Sequence, residues 1–199
     1  MSERQGEKAA IRAEVLERRA VLTAGERAHL SRQICGRIEE LPAFATAGVV
    51  LFYMPVRGEV DVLPLLRQAL KQGKACAIPR CVGNDLEFYC IQYLDTDVEP
   101  GLWGIPEPKL VPENRCVPGP DSVIIMPGAA YGRNGARIGY GAGYYDRFLR
   151  SLPVRPATIA PAYGFQVYDS VPQEPWDLPV DRIATETETI VCHKGEEHP

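Results

Sequence analysis

The short apolar run Val49-Val-Leu-Phe-Tyr-Met54 and a second buried-strand segment, Asp121-Ser-Val-Ile-Ile-Met126, constrain this chain more than any other feature. A strand with one wet face alternates apolar and polar residues. A run without alternation fits a strand covered on both faces, which is the habit of parallel sheets. The rest of the chain must therefore supply helices for two faces.

The sequence offers them. Residues 7–22 lack proline, and Ile11, Val15, Leu16, Ala20 and Leu22 mark one apolar side. Thr23-Ala-Gly-Glu26 matches a capping box, so a second helix is expected over about 24–41, ended by Pro42. Asp61 can cap a helix over about 62–72, with Pro64 in its first turn and Gly73 at its end. Another helix is expected near 144–152, and further strands at 75–79, 86–92, 156–161 and 181–185. Residues 93–120 read as a long loop, 127–143 as a glycine-rich loop and 193–199 as a frayed tail. The expectation is one α/β domain over 1–199, with N-terminal helices at 7–41 and an α/β body at 47–187. Its mainly parallel sheet forms the middle of three layers, α/β/α. Ligands of such sheets sit beyond the carboxyl ends of the strands. The 54–59 and 127–143 loops both follow strands and can face one crevice.

Charge and cysteine usage narrow the function. Net charge is −4, without the basic excess of a nucleic-acid binder. No stretch approaches the ~18 apolar residues of a membrane span, and the N-terminus does not read as a secretory signal. The six cysteines have no C-x-x-C spacing, and the three histidines complete no metal pattern. They read as free thiols of a cytoplasmic protein without an obligate protein partner.

The residues with the strongest chemical character are Arg137-Ile-Gly139-Tyr140-Gly141-Ala142-Gly143-Tyr144-Tyr145-Asp146. Alternate glycines let backbone N–H groups converge on an anion, and the following helix adds its positive end. Arg137 brings a fixed charge for phosphate, and Asp146 a carboxylate for a magnesium ion that bridges phosphates. Neither familiar phosphate motif is present. Gly73-Lys74 lacks the other P-loop residues, and Tyr144 stands where a dinucleotide fingerprint needs its third glycine. Other positions leave two readings open. Lys8 and Arg12 share a helix face, either solvated or gripping an anion. Glu59 is either a loop carboxylate or a group that orients a polar substrate. Trp103 either covers core or stacks on a flat ligand. Asp177 and Asp181 are either turn residues or further metal carboxylates.

Together these residues resemble the 5-formyltetrahydrofolate cyclo-ligase family over roughly residues 7–187. The resemblance runs through Lys8-x-x-x-Arg12, Gly58-Glu59-Val60-Asp61, Ile78-Pro79-Arg80, Trp103-Gly-Ile-Pro-Glu-Pro108 and Met126-Pro-Gly128. It continues through Gly135-x-Arg137-x-Gly139-x-Gly141-x-Gly143-Tyr-Tyr-Asp146-Arg147 and Val180-Asp181. One departure stands out: Ala130-Tyr131-Gly132 replaces the family's usual Ala-Phe-Asp.

The resemblance implies a fold similar to sugar-phosphate isomerases and CoA transferases. It implies ATP and Mg²⁺, and closure of 5-formyltetrahydrofolate to 5,10-methenyltetrahydrofolate through an N5-iminium phosphate, with ADP and phosphate released. Lys8, Arg12 and Arg137 through Tyr145 would bind ATP, with Arg137 the main catalytic stabiliser. Asp146 and Asp181 would hold the metal. Met54, Glu59, Trp103 and Tyr145 would line the folate pocket. The glycine block reads phosphate rather than folate. The alternatives are therefore an ATP-dependent enzyme of the same fold with another substrate, or a nucleotide- or folate-binding relative without turnover.

Overall fold

In the computed structural model, which describes residues 3–192 and only the backbone of Trp103, two helices come first. Helix α1 (Glu3–Val21) starts earlier than its apolar pattern predicts. Helix α2 (Ala24–Glu39) begins where the capping box places it. The Thr23 hydroxyl accepts from Glu26 N at 3.2 Å, and the Glu26 carboxylate accepts from Thr23 N at 2.8 Å. Pro42 does not end that helix. It opens a short one, α3 (Pro42–Ala45), because proline at a first helical position forfeits no intrahelical N–H. The tail expected at 193–199 lies outside the described residues.

Strand β1 (Val49–Leu51) is shorter than the apolar run, and Phe52, Tyr53 and Met54 continue as buried chain outside the strand. Asp61 supports α4 (Leu63–Lys71) from one residue beyond the cap, accepting from Leu63 N at 3.0 Å while Val62 holds the cap position. Strands β2 (Ala75–Val82) and β3 (Asp85–Ile91) form a hairpin around Gly83, whose φ is +60°.

The long loop expected at 93–120 holds three short strands: β4 (Val98–Pro100), β5 (Pro106–Pro108) and β6 (Arg115–Cys116). Prolines in β4 and β5 disguise them, since proline gives nothing to a strand ladder. Arg80 fastens them instead, donating to Glu99 at 2.6 Å and to the Pro108 carbonyl at 2.7 Å. After β7 (Ser122–Ile125), the glycine-rich segment likewise contains β8 (Ala130–Gly132) and β9 (Arg137–Ile138). Then come α5 (Tyr144–Ser151), β10 (Ala157–Pro161), β11 (Val167–Tyr168), β12 (Arg182–Ala184) and β13 (Thr189–Val191).

The main sheet runs β13-β12-β10-β7-β1-β2-β3-β6. From β12 to β2 every pair is parallel; β13, β3 and β6 add antiparallel edges. Alternate residues of the central strands serve opposite faces. Val50, Val123 and Ile125 pack with Ile34, Ile38, Leu65 and Leu66 of α2 and α4. Leu51, Ile124 and Met126 pack with Phe148 and Leu149 of α5. This is the α/β/α architecture the sequence predicts, with α1 packed through Val15 on a small sheet of β11, β8 and β9.

The site follows from the strand order. From β1 the chain moves outward to β2 on one side, then returns to β7 on the other. Loops leaving β1 and β7 diverge there and open a crevice at their carboxyl ends. Ile124, fully buried in β7, packs at the sheet's centre. Ile124→Ala should therefore cost about 2–5 kcal/mol of unfolding free energy, read by urea denaturation. A loss under about 1 kcal/mol would contradict the packing described.

Candidate active site

The loop after β7 is built around its own backbone carbonyls. Arg137 donates to Pro127 O at 3.2 Å. Gly128 O accepts from Arg19 at 2.6 Å and from the Gln166 amide at 3.2 Å. Tyr131, fully buried, donates to Met126 O at 3.1 Å. The departure at 130–132 thus has a structural reason. The tyrosine hydroxyl braces the turn, and a Cβ at Gly132 would press on the Val171 backbone N at 3.3 Å.

The glycine turn is held from both ends. Arg12 Nε donates to Gly139 O at 2.9 Å, and Arg147 donates to Ala142 O at 2.7 Å. A Cβ at Gly139 would meet the Arg137 guanidinium at 3.0 Å. Gly141 and Gly143 adopt φ of +101° and +69°, conformations that side chains resist. Gly143 leads straight into α5 with no side-chain cap, so the first N–H groups of that helix point at the turn unclaimed.

Three cations border the turn. Arg12 makes no bond through its terminal nitrogens among the described residues, so they are available to an anion. Lys8 meets Asp177 in a close ion pair. Arg137, whose side chain is 5% exposed, pairs with Asp146 at 2.8 Å, and its buried Nε has no partner among the described residues. The other Asp146 oxygen accepts from Leu178 N at 3.1 Å. A buried guanidinium with an unmet donor beside bare helix N–H groups is suited to phosphate.

Across the crevice, Glu59 closes the loop after β1. It is 6% exposed. One oxygen accepts from Val56 N at 3.0 Å, the other from the Tyr140 hydroxyl at 2.8 Å. Burial pushes its carboxyl above the usual range, while Val56 N, Arg19, Tyr140 and Arg57 draw it back. Arg57 precedes Gly58 with φ of +50° and lies over the Tyr140 ring at 5.4 Å. Met54 is buried in the cluster against which the half-buried Tyr145 packs. The phenol of Tyr145 is pushed up by burial and by Glu59.

The structure therefore brings together Lys8, Arg12, Glu59, Arg137, the 139–143 turn, Tyr144, Tyr145 and Asp146, with Met54 in the core cluster against which Tyr145 packs. Two expected residues are not joined to this group. The Trp103 side chain lies outside what is described. Asp181 is engaged at β10, where its Oδ2 accepts from Thr158 N at 2.8 Å and Thr158 Oγ1 at 2.7 Å.

For the implied magnesium, Asp146 is the carboxylate beside the glycine turn, and its oxygens, now held by Arg137 and Leu178 N, would have to turn to the ion. One carboxylate fits an ion taking its other ligands from phosphate and water. Among the described residues no group of three or more His, Cys, Asp or Glu is arranged to hold a metal.

Sequence reading missed one participant, Arg19, and left Asp177 open between a turn residue and a metal carboxylate. Asp177 meets Lys8, one residue before the Leu178 amide that caps Asp146. Arg19, 2% exposed, donates to Tyr140 Oη at 2.5 Å as well as to Gly128 O. Its signal was available: Arg19 lies four residues beyond Val15 and eight beyond Ile11, on the apolar side of α1, where a solvated arginine has no place.

The Arg137–Asp146 pair generates a stability test. Asp146→Ala strands a buried guanidinium, whereas Arg137→Met leaves a part-exposed carboxylate that keeps Leu178 N. Asp146→Ala should be the costlier change, by about 1–2 kcal/mol in urea unfolding. Equal losses would show that the pair is not buried as described.

Three comparisons place the chain among known proteins. The 5-formyltetrahydrofolate cyclo-ligase family matches residues 4–186. Curated relatives include the 5-formyltetrahydrofolate cyclo-ligases of Mus musculus and Escherichia coli. The mouse protein is 26% identical, over 90% of this chain and 93% of that one. The E. coli protein is 27% identical, over 86% of this chain and 96% of that one. Among solved structures, Aquifex aeolicus 5,10-methenyltetrahydrofolate synthetase superposes with a TM-score of 0.83 at 34% identity, covering 96% of each chain.

Proposed function

The chain belongs to the 5-formyltetrahydrofolate cyclo-ligase family and is a ligase, and from that premise we propose the reaction its site performs. The enzyme closes 5-formyltetrahydrofolate to 5,10-methenyltetrahydrofolate, with ATP as co-substrate and ADP and phosphate as products. One observation carries the reading. A phosphate-suited turn, flanked by Lys8, Arg12 and Arg137, lies hydrogen-bonded to a buried carboxylate, Glu59, on the opposite loop of the crevice. Two ligands of different chemistry can meet there.

The formyl oxygen of an N-formyl group is a weak nucleophile with no proton to lose. No general base is needed for its attack on the γ-phosphorus, and none is proposed. The site's work is alignment and charge neutralisation. Gly139, Tyr140, Gly141, Ala142, Gly143, Tyr144 and Tyr145 supply backbone N–H groups to the nucleotide phosphates. Lys8 and Arg12 bind the same phosphates from α1. Arg137 offers its unmet Nε–H to the transferring group, releasing part of its hold on Asp146. A magnesium ion held at Asp146 would supply further neutralisation of phosphate charge. Glu59, Met54, Trp103 and Tyr145 form the folate side, where Glu59 accepts from the pterin and Tyr145 supplies an aromatic wall. The resulting N5-iminium phosphate is electrophilic at carbon. N10 attacks it and the ring closes; the N10 proton is released to solvent, and phosphate leaves as the C–O bond breaks.

The test is turnover of purified protein with Mg²⁺-ATP and 5-formyltetrahydrofolate, followed by methenyltetrahydrofolate absorbance and phosphate release. Product should require both ligands, and Arg137→Ala should lower kcat at least ~10²-fold, as other lost charge-stabilising donors do. Absence of product from folded, ATP-binding protein would overturn the folate assignment. Near-parent turnover in Arg137→Ala would overturn the role of that arginine.

A further inference from the structure

Tyr140 occupies a glycine turn whose task is to present backbone N–H groups, yet its side chain leaves the turn and enters the protein. There the hydroxyl accepts from Arg19 Nη1 at 2.5 Å and donates to Glu59 Oε1 at 2.8 Å. Arg19 reaches it from the last turn of α1 and fastens the other terminal nitrogen to Gly128 O. Its guanidinium is raised on balance: burial lowers it, but Tyr140 and Glu59 outweigh burial.

We propose that Arg19 and Tyr140 are positioning residues that hold the Glu59 carboxylate for the folate and couple its placement to the phosphate-binding turn. The proposal rests on the reading of Glu59 as a folate-binding group. Glu59 has two oxygens, one held by its own loop through Val56 N and one by Tyr140. Without the phenol, half of the carboxylate loses its orientation. Without Arg19, the phenol loses the donor that fixes its own hydrogen toward Glu59. The hydroxyl has one proton, and a cation on its lone pair directs that proton to the carboxylate. Because Tyr140 belongs to the turn, any shift of the turn on nucleotide binding is transmitted to Glu59 through this bond.

The groups facing Glu59 define a pH signature. They are Arg19 from α1, Arg57 from its own loop, and the phenols Tyr53, Tyr131, Tyr140 and Tyr145. Burial pushes all four phenols up, so they stay neutral at neutral pH. Removing Arg19 removes a charge that draws Glu59 down. The carboxyl then loses its proton at higher pH, and the acid limb of kcat/KM moves upward.

Steady-state kinetics with 5-formyltetrahydrofolate test this on the intact enzyme, using Tyr140→Phe, Arg19→Met, Arg19→Lys and the double variant Arg19→Met/Tyr140→Phe. Tyr140→Phe and Arg19→Met should each raise the folate KM about tenfold, the usual weight of a hydrogen bond to a charged group, while KM for ATP moves less. The double variant should be no worse than the weaker single, because both act through one chain. The acid limb should shift upward in Arg19→Met and return in Arg19→Lys. Tyr140→Phe keeps the ring and guards against a folding defect in Arg19→Met. Parent-like folate KM in Tyr140→Phe, or additive losses in the double variant, would overturn the proposal while parent turnover stands. Failure of the parent to turn over would overturn the folate reading itself.

Discussion

The Tyr140 hydroxyl stands between Arg19 and Glu59, and through it three parts of the chain close on one crevice. Helix α1 brings the cation, the loop after β1 the carboxylate, and the turn between β9 and α5 the phenol. No two of these are neighbours in sequence. They meet because the strand order places β1 beside β7 and sends the connections outward on either side. The sheet makes the crevice, and the buried polar chain fixes its width.

Such a chain is costly to assemble and hard to alter. A buried carboxylate and a buried guanidinium each lose hydration that a single contact does not replace. Here the losses are met by a network. Glu59 accepts from Val56 N and Tyr140, while Arg19 donates to Tyr140 and Gly128 O. The same logic governs Arg137, which binds Asp146 and Pro127 O and keeps one nitrogen unmet. Arg19 has a buried Nε without a partner as well. The two arginines differ in what lies beside them. Arg137 borders the open turn and the bare start of α5, whereas Arg19 is enclosed.

Much of this was legible in the sequence, for physical reasons. Val49–Met54 and Ser122–Met126 carry no alternation, and only a doubly covered strand tolerates that. Thr23 and Glu26 announced a helix start because capping is local chemistry. The glycine block was legible because positive φ and close approach need glycine. The short strands β4, β5, β8 and β9 were not. They are two or three residues long, β4 and β5 carry prolines, and Arg80 fastens that pair from β2. Arg19 was overlooked because charge on a helix is usually solvated, although its phase on α1 marked it as inward. The direction of Tyr140 could not be read at all, since nothing local distinguishes a turn tyrosine that faces solvent from one that reaches a partner eighty-one residues away.

The central claim is that nucleotide and folate bind one crevice whose two loops move as a unit. Hydrogen exchange measured by mass spectrometry tests this most directly, with a non-hydrolysable ATP analogue and 5-formyltetrahydrofolate added separately. Each ligand alone should slow exchange in both 54–60 and 137–145. Protection by the nucleotide confined to 137–145, with 54–60 exchanging as in the free protein, would contradict the coupling. Protection by either ligand elsewhere would contradict the site.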